Sequence, residues 1–271
     1  MIPFGPILKT IQGGNIMDAP NTEISISAEL EADLADLVKA SRMLELLGHS
    51  DRIWGHVAMR DPDGRGFWIK RHAISLGEVF DISDFQLTAF DGKPLSGEGR
   101  RHSEWPIHSE IFKMREDLNY TAHAHPFYGS IFSAVTEPLR FVRGNSPSAP
   151  PRYEGSSELV TDMETGRRLA EALGNADKMF MRNHGVVFCG RSAVELVKNG
   201  HDLEEKCAQM LAVSGSGLDW AWPTEEEEKT KIAGGAAASR FDALWAHYCR
   251  YLARAEAQGD PRLALGPIEM T

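Results

Sequence analysis

Cysteine is scarce in this sequence: Cys189, Cys207 and Cys249 are the only three in 271 residues, and none sits in a CxxC pair. An odd, scattered set excludes a disulfide framework and points to a reducing compartment. No apolar run approaches the roughly 20 residues needed to span a bilayer. The opening stretch MIPFGPILKTIQGG has no long apolar core and no small-residue cleavage pattern. Excess positive charge is missing too. The formal net charge is −10, which argues against nucleic acid or an anionic membrane as the main partner. Internal repeats and clear linkers are also absent. A cytoplasmic protein is expected.

What is present suits a globular fold. The hydrophobic fraction is 42% and the charged fraction 25%, ordinary values for a packed domain, and the chain is long enough for a sizeable core. Residues 1–23 read as an arm, and residues 24–271 as one domain with C-terminal helices. From Ser27, a suitable N-cap, Leu30, Leu34, Val38, Ser41 and Glu45 form a stripe at helical spacing, flanked by Leu37 and Leu44. WGHVAMRD and GFWIKR around the turn-rich DPDGRG read as a hairpin, and FQLTAF as a third strand closed by DGKPLSGEG. SEWPIHSEIFKMRED reads as a helix with Ser103 as its cap, NYTAHAH as a strand, and PFYGSIFSAV as a short helix. NSPSAPPRYEGSS reads as loop, TDMETGRRLAEALG as a helix with a glycine stop, and KMFMRNHGVVFCG as two strands around NHG. Two further helices follow, SAVELVKNGHDLEEKCAQMLAVSG and SRFDALWAHYCRYLARAEAQ, separated by the charge run TEEEEKTK. Hairpin-joined strands among helices predict an α/β fold with a mostly antiparallel sheet.

Four side chains stand out for chemistry: Glu104, His123, His125 and His184. On a strand, His123 and His125 project from one face, about 7 Å apart. That spacing suits a shared ion and equally an ordinary polar pair. His184 comes from a distant Asn-His-Gly turn, where Gly185 lets the backbone pass close by. Glu104 lies at a helix start and offers a carboxylate. Zinc and manganese are held by such imidazole and carboxylate sets.

Taken in order, SEWPIHSEIF, AHAHP and MRNHGVVFCG resemble the class II aldolase/adducin family from about residue 30 to about residue 215. The resemblance implies a three-layer α/β/α sandwich around a mainly antiparallel sheet. It implies one divalent metal ion per subunit, Mn2+ or Zn2+, with Glu104, His123, His125 and His184 as ligands. It further implies a homo-oligomer, a tetramer with sites near subunit interfaces.

The chain departs from the sugar-phosphate aldolases of that family. Their phosphate-wrapping loops are replaced by Gly55-His56-Val57-Ala58, by Lys70, Arg71 and His72, and by Arg100, Arg101 and His102. Guanidinium groups suit planar carboxylates, so a change of substrate anion from phosphate to carboxylate is one reading; surface charges on turns are the other. GHVAMRDP and GRRHSEWPIHSEIF are similar to a branch of decarboxylases acting on hydroxylated aromatic dicarboxylates, including those of vitamin B6 and phthalate breakdown. A small anionic aromatic substrate follows, with CO2 lost beside a hydroxyl-bearing carbon and the cation as Lewis acid. Arg71, Arg101 and His56 are the substrate-binding candidates. Glu104, His102 and Glu45 are the proton-donor candidates. Glu45 at a stripe edge, His102 at the surface and His56 in a turn each also have an ordinary structural explanation. Retro-aldol cleavage of a small hydroxy-carbonyl compound is the alternative reaction, and an adducin-like interaction module the non-enzymatic one.

Overall fold

The structure, a computed structural model, describes residues 24, 26–140, 149–155, 157, 159–224, 226–227, 229–230 and 239–268. The arm expected over 1–23, and part of the loop and charge run expected around 141–158 and 225–238, lie outside the described residues.

Strands β1 (His56–Arg60), β2 (Phe67–Lys70), β3 (Phe85–Thr88), β4 (Pro94–Ser96), β5 (Tyr120–Ala124), β6 (Arg152–Tyr153), β7 (Lys178–Met181) and β8 (Gly185–Gly190) form one sheet in the order β4-β3-β2-β1-β5-β8-β7-β6. Every pairing is antiparallel except β6 with β7. The expected hairpin is β1–β2, and the strands around NHG are β7 and β8. Two strands fall where loops were expected: β4 inside the DGKPLSGEG closure and β6 inside the proline-rich stretch. Both are edge strands, where Pro94 forfeits no ladder bond a central strand would need.

Helices cover both faces. α1 (Ala28–Leu46), α3 (Phe127–Ser133), α5 (Ala193–Ser214) and α6 (Ser239–Ala257) pack together on one side; α2 (Trp105–Met114) and α4 (Met163–Leu173) pair on the other. Strand alternation divides the core accordingly. Val57, Met59, Ala122, Val186 and Phe188 join the α1/α5 core, whereas Val187 and Cys189 join the α2/α4 core. This is the expected α/β/α sandwich. Caps follow the sequence: Ser27, Asp162 and Ser192 accept backbone N–H bonds at the starts of α1, α4 and α5, and Gly174 ends α4 with φ 53°. The cap of α2 differs. Glu104, not Ser103, holds the N-cap position and makes no capping bond, because its carboxylate is turned elsewhere.

Antiparallel pairing places the start of β1, the end of β5 and the start of β8 side by side at one end of the central strands. His56 lies opposite His123, and His123 opposite Val187. The N-terminus of α2 reaches the same end from the α2/α4 side.

Candidate metal centre

His123 and Thr121 share the face of β5 that looks toward α2, since Ala122 and Ala124 fill the opposite side. His125 lies one residue beyond the strand, where Pro126 begins α3. Leaving the pleat brings the ring centroids of His123 and His125 to 4.7 Å. His184 arrives from the tight turn joining β7 to β8. Asn183 there adopts φ 55° and the His184 N–H bonds the Met181 carbonyl. A left-handed φ is tolerable for asparagine, and it turns His184 onto His125, with rings stacked at 5.2 Å and 15°. One nitrogen from each of His123, His125 and His184 lies within 4.8 Å of the others.

Glu104 joins from α2. Its Oε1 accepts the Val160 N–H at 3.0 Å, and its Oε2 stands 3.8 Å from Nε2 of both His123 and His56. His56, Glu104 and His123 therefore make a second close grouping. The four candidate ligands fall in two groupings that share His123, with Glu104 in one and His125 and His184 in the other.

The donor chemistry fits a divalent cation. His123 Nδ1 faces the Val186 carbonyl at 3.0 Å; a carbonyl only accepts, so Nδ1 carries the proton and the Nε2 lone pair is free. Among the described residues, that nitrogen and His184 Nδ1 are buried with no hydrogen-bond partner. Asp51 Oδ2 stands 3.6 Å from His125 Nδ1, the side a supporting carboxylate takes, which leaves Nε2 as the atom His125 would offer an ion. Burial, then the neighbouring rings, holds His123 well below the usual imidazole range. Burial, with help from His125, brings His184 to about 4. Burial also lowers His125, against the pull of Asp51. The rings are neutral near pH 7, the form that binds metal. Burial raises the Glu104 carboxyl, opposed by the Val160 amide.

The other expected residues are distributed around this cluster. His102 is buried with its ring centroid 3.9 Å from that of His56; burial first, then Lys70, pushes it down to about 2. Arg101 stacks over Trp105 at 4.6 Å, next to Glu104 in sequence. Arg71 is committed inside the fold: its Nε and Nη2 contact Asp84 at 2.8 Å, and Nη2 also donates to the Ile268 carbonyl. The Glu45 carboxylate accepts the Gly77 N–H at 2.8 Å and stands in neither grouping. Lys70, buried, donates to the Arg71 and Ile74 carbonyls.

Three contributors escaped the sequence reading. His108 sits one helical turn after Glu104 and touches His56 Nδ1 at 2.6 Å; the i, i+4 spacing was a usable signal. Asp51 and the Val160 amide carry none, since loop geometry alone brings them in.

Known proteins agree with this architecture. The Class II Aldolase and Adducin N-terminal domain profile matches residues 35–211. The chain is 26% identical over 189 residues to the meiotically up-regulated gene 14 protein of Schizosaccharomyces pombe, covering 68% of this chain and 73% of that one. It is 24% identical over 196 residues to the 3,4-dihydroxyphthalate decarboxylase of Arthrobacter keyseri, covering 66% and 77%. The fold matches L-fuculose 1-phosphate aldolase from Glaciozyma antarctica PI12 with a TM-score of 0.73 at 22% identity, over 90% of this chain and 97% of that one. With a profile spanning well over half its length and a sheet of the same architecture, the chain belongs to the class II aldolase and adducin family.

Proposed function

We propose that this protein is a divalent-metal-dependent carboxy-lyase that removes CO2 from a hydroxylated aromatic dicarboxylate, at the carbon next to the hydroxyl-bearing one. Class II aldolases use a divalent metal, and the family's named enzymes, aldolases and decarboxylases, are lyases. A Mn2+ or Zn2+ ion held by Glu104, His123, His125 and His184 would supply Lewis acidity, drawing electron density toward the substrate's oxygen substituents. The observation that carries the reading is the buried imidazole pair His56 and His102, ring centroids 3.9 Å apart and tilted by 43°, with His56 Nε2 3.8 Å from Glu104 Oε2. It puts nitrogen donors, in place of small hydroxyl and amide groups, beside the candidate ligands.

The chain's own residues then have defined tasks. Arg101, anchored on Trp105, and His56 bind and orient the carboxylates. Arg71 is tied to Asp84, so it supports the loop beneath them. A proton must reach the ring carbon that carries the departing carboxylate; the C–C bond then breaks, CO2 leaves, and the electron pair restores the aromatic ring. We assign its delivery to Glu104, whose carboxyl burial raises, ahead of His102, which burial keeps neutral. Glu45, bonded to Gly77, is the weakest of the three donors.

Residues 24–271 form one unit in this reading, supported by the single sheet that runs from β4 to β6. A homotetramer with sites near its interfaces is part of it, supported by exposed Phe127 and Tyr128 immediately after the His125-Pro126 pair. Among the described residues no helix is long and apolar enough to cross a membrane, and we place the enzyme in the cytoplasm. The test is CO2 release from a panel of hydroxylated pyridine and benzene dicarboxylates, with and without a chelator. Chelator-sensitive CO2 is expected. Release of pyruvate or an aldehyde from hydroxy-carbonyl compounds, with no CO2 across the panel, would favour the aldol reaction instead.

A further inference from the structure

Behind the metal centre runs a buried chain of three side chains. The His56 Nδ1 lies 2.6 Å from His108 Nε2, and His108 Nδ1 lies 2.5 Å from Thr121 Oγ1. All three residues are fully buried. The remaining nitrogen, His56 Nε2, is buried without a hydrogen-bond partner among the described residues and faces Glu104 Oε2 at 3.8 Å.

We infer that Thr121 and His108 hold His56 as a fixed Nε2–H donor aimed into the centre, which makes His56 an anion-recognition residue and not a metal ligand. A contact between two ring nitrogens contains one proton, so the two neutral rings have only two arrangements. In the first, the Thr121 hydroxyl donates to His108 Nδ1, His108 Nε2–H donates to His56 Nδ1, and His56 presents Nε2–H. In the second every proton is reversed and His56 presents a lone pair. The Thr121 hydroxyl has no other partner among the described residues, so the reversed order strands its proton in the core, and an unpaired buried donor is costly. The Thr121 end of the chain selects the first arrangement.

The consequence separates the two groupings that share His123. A metal ligand needs a lone pair, which His125 and His184 can provide and His56, so protonated, cannot. His56 instead offers an N–H to an anionic oxygen, which, on the function proposed above, belongs to the aromatic acid. His108 and Thr121 are positioning residues that act through it.

The experiment uses 15N-histidine-labelled full-length protein, first metal-free and then with one equivalent of Zn2+. Two-bond 1H–15N spectra report each ring's tautomer directly. His56 and His108 are expected as Nε2–H in both states, with zinc-induced changes confined to His123, His125 and His184. An Nδ1–H signature at either ring, or loss of the His56 Nε2 proton on adding zinc, overturns the inference. In parallel, His56→Leu and His56→Gln are titrated with Zn2+ and then with salicylate as the anionic probe. Zinc affinity should stay within about twofold of wild type in both, against the tenfold or greater loss expected of a ligand. Salicylate should bind about tenfold more weakly to His56→Leu, while His56→Gln, whose amide also donates, retains most of the affinity. Equal salicylate binding by His56→Leu and wild type overturns the donor role. If salicylate fails to bind the wild-type zinc form while His56 shows its Nε2 proton, the aromatic-substrate reading falls and the donor assignment stands.

Discussion

A Cβ on Gly185 would stand 2.5 Å from Cδ2 of His125 and 2.6 Å from the Ala124 carbonyl oxygen. The first residue of β8 thus leaves the space that the imidazole fills. Gly185→Ala must push His125 or the β5 backbone aside. We expect a stability loss of about 1–3 kcal/mol, as in overpacked cores, and a fall in metal affinity that is larger than the stability loss predicts. Urea unfolding and zinc titration on the same sample check both.

Ligands and their supports should be separable by degree. Asp51 faces His125 Nδ1 at 3.6 Å, so Asp51→Asn should weaken metal binding about 10-fold, the low end for a supporting carboxylate. His184→Gln removes a donor outright and should leave no stoichiometric ion after dialysis. Metal content by mass spectrometry decides; equal retention by both variants would remove His184 from the ligand set.

Arg71 and Asp84 form a buried pair with contacts of 2.8 Å. Breaking such a pair strands a charge, so Arg71→Met should destabilise the fold by about 3 kcal/mol. Turnover by the molecules that remain folded should change little. A raised KM at unchanged stability would show that Arg71 touches substrate after all.

His49 is fully buried with neither ring nitrogen hydrogen-bonded among the described residues, and burial, then His201, lowers it to about 3. In the unfolded chain it titrates near 6.5. Below that pH, unfolding takes up a proton that the fold refuses. The stability from keeping the ring neutral is complete above pH 6.5 and lost progressively as pH falls toward 3. Metal-free His49→Leu should therefore lose stability less steeply between pH 6 and 4.5, by up to about 1.4 kcal/mol per pH unit. Parallel urea curves at each pH provide the comparison.

The helices and central strands were legible because their signals are local. The stripe from Leu30 to Glu45 recurs at helical spacing, Ser27 and Asp162 stand where caps belong, and β7 and β8 flank a turn residue that accepts positive φ. The edge strands β4 and β6 were not legible. They have three and two residues, and strands that short are defined by the neighbour they pair with, not by their own pattern. Glu104 read as a ligand type, but Ser103 read as the helix cap; nothing local says that the glutamate occupies the cap position and reaches across to the Val160 amide.

The sequence by itself determined which candidate donors exist, Glu104, His123, His125 and His184, in motifs that mark the family. Only the tertiary structure decided that His123 turns Nδ1 to the Val186 carbonyl, that Arg71 is consumed by Asp84, and that His108 and Thr121 stand behind His56. Those outcomes depend on sheet register and on contacts between segments 13 to 63 residues apart. A hydrogen bond fixes a ring only when both partners are in place, and the chain brings them together only by folding.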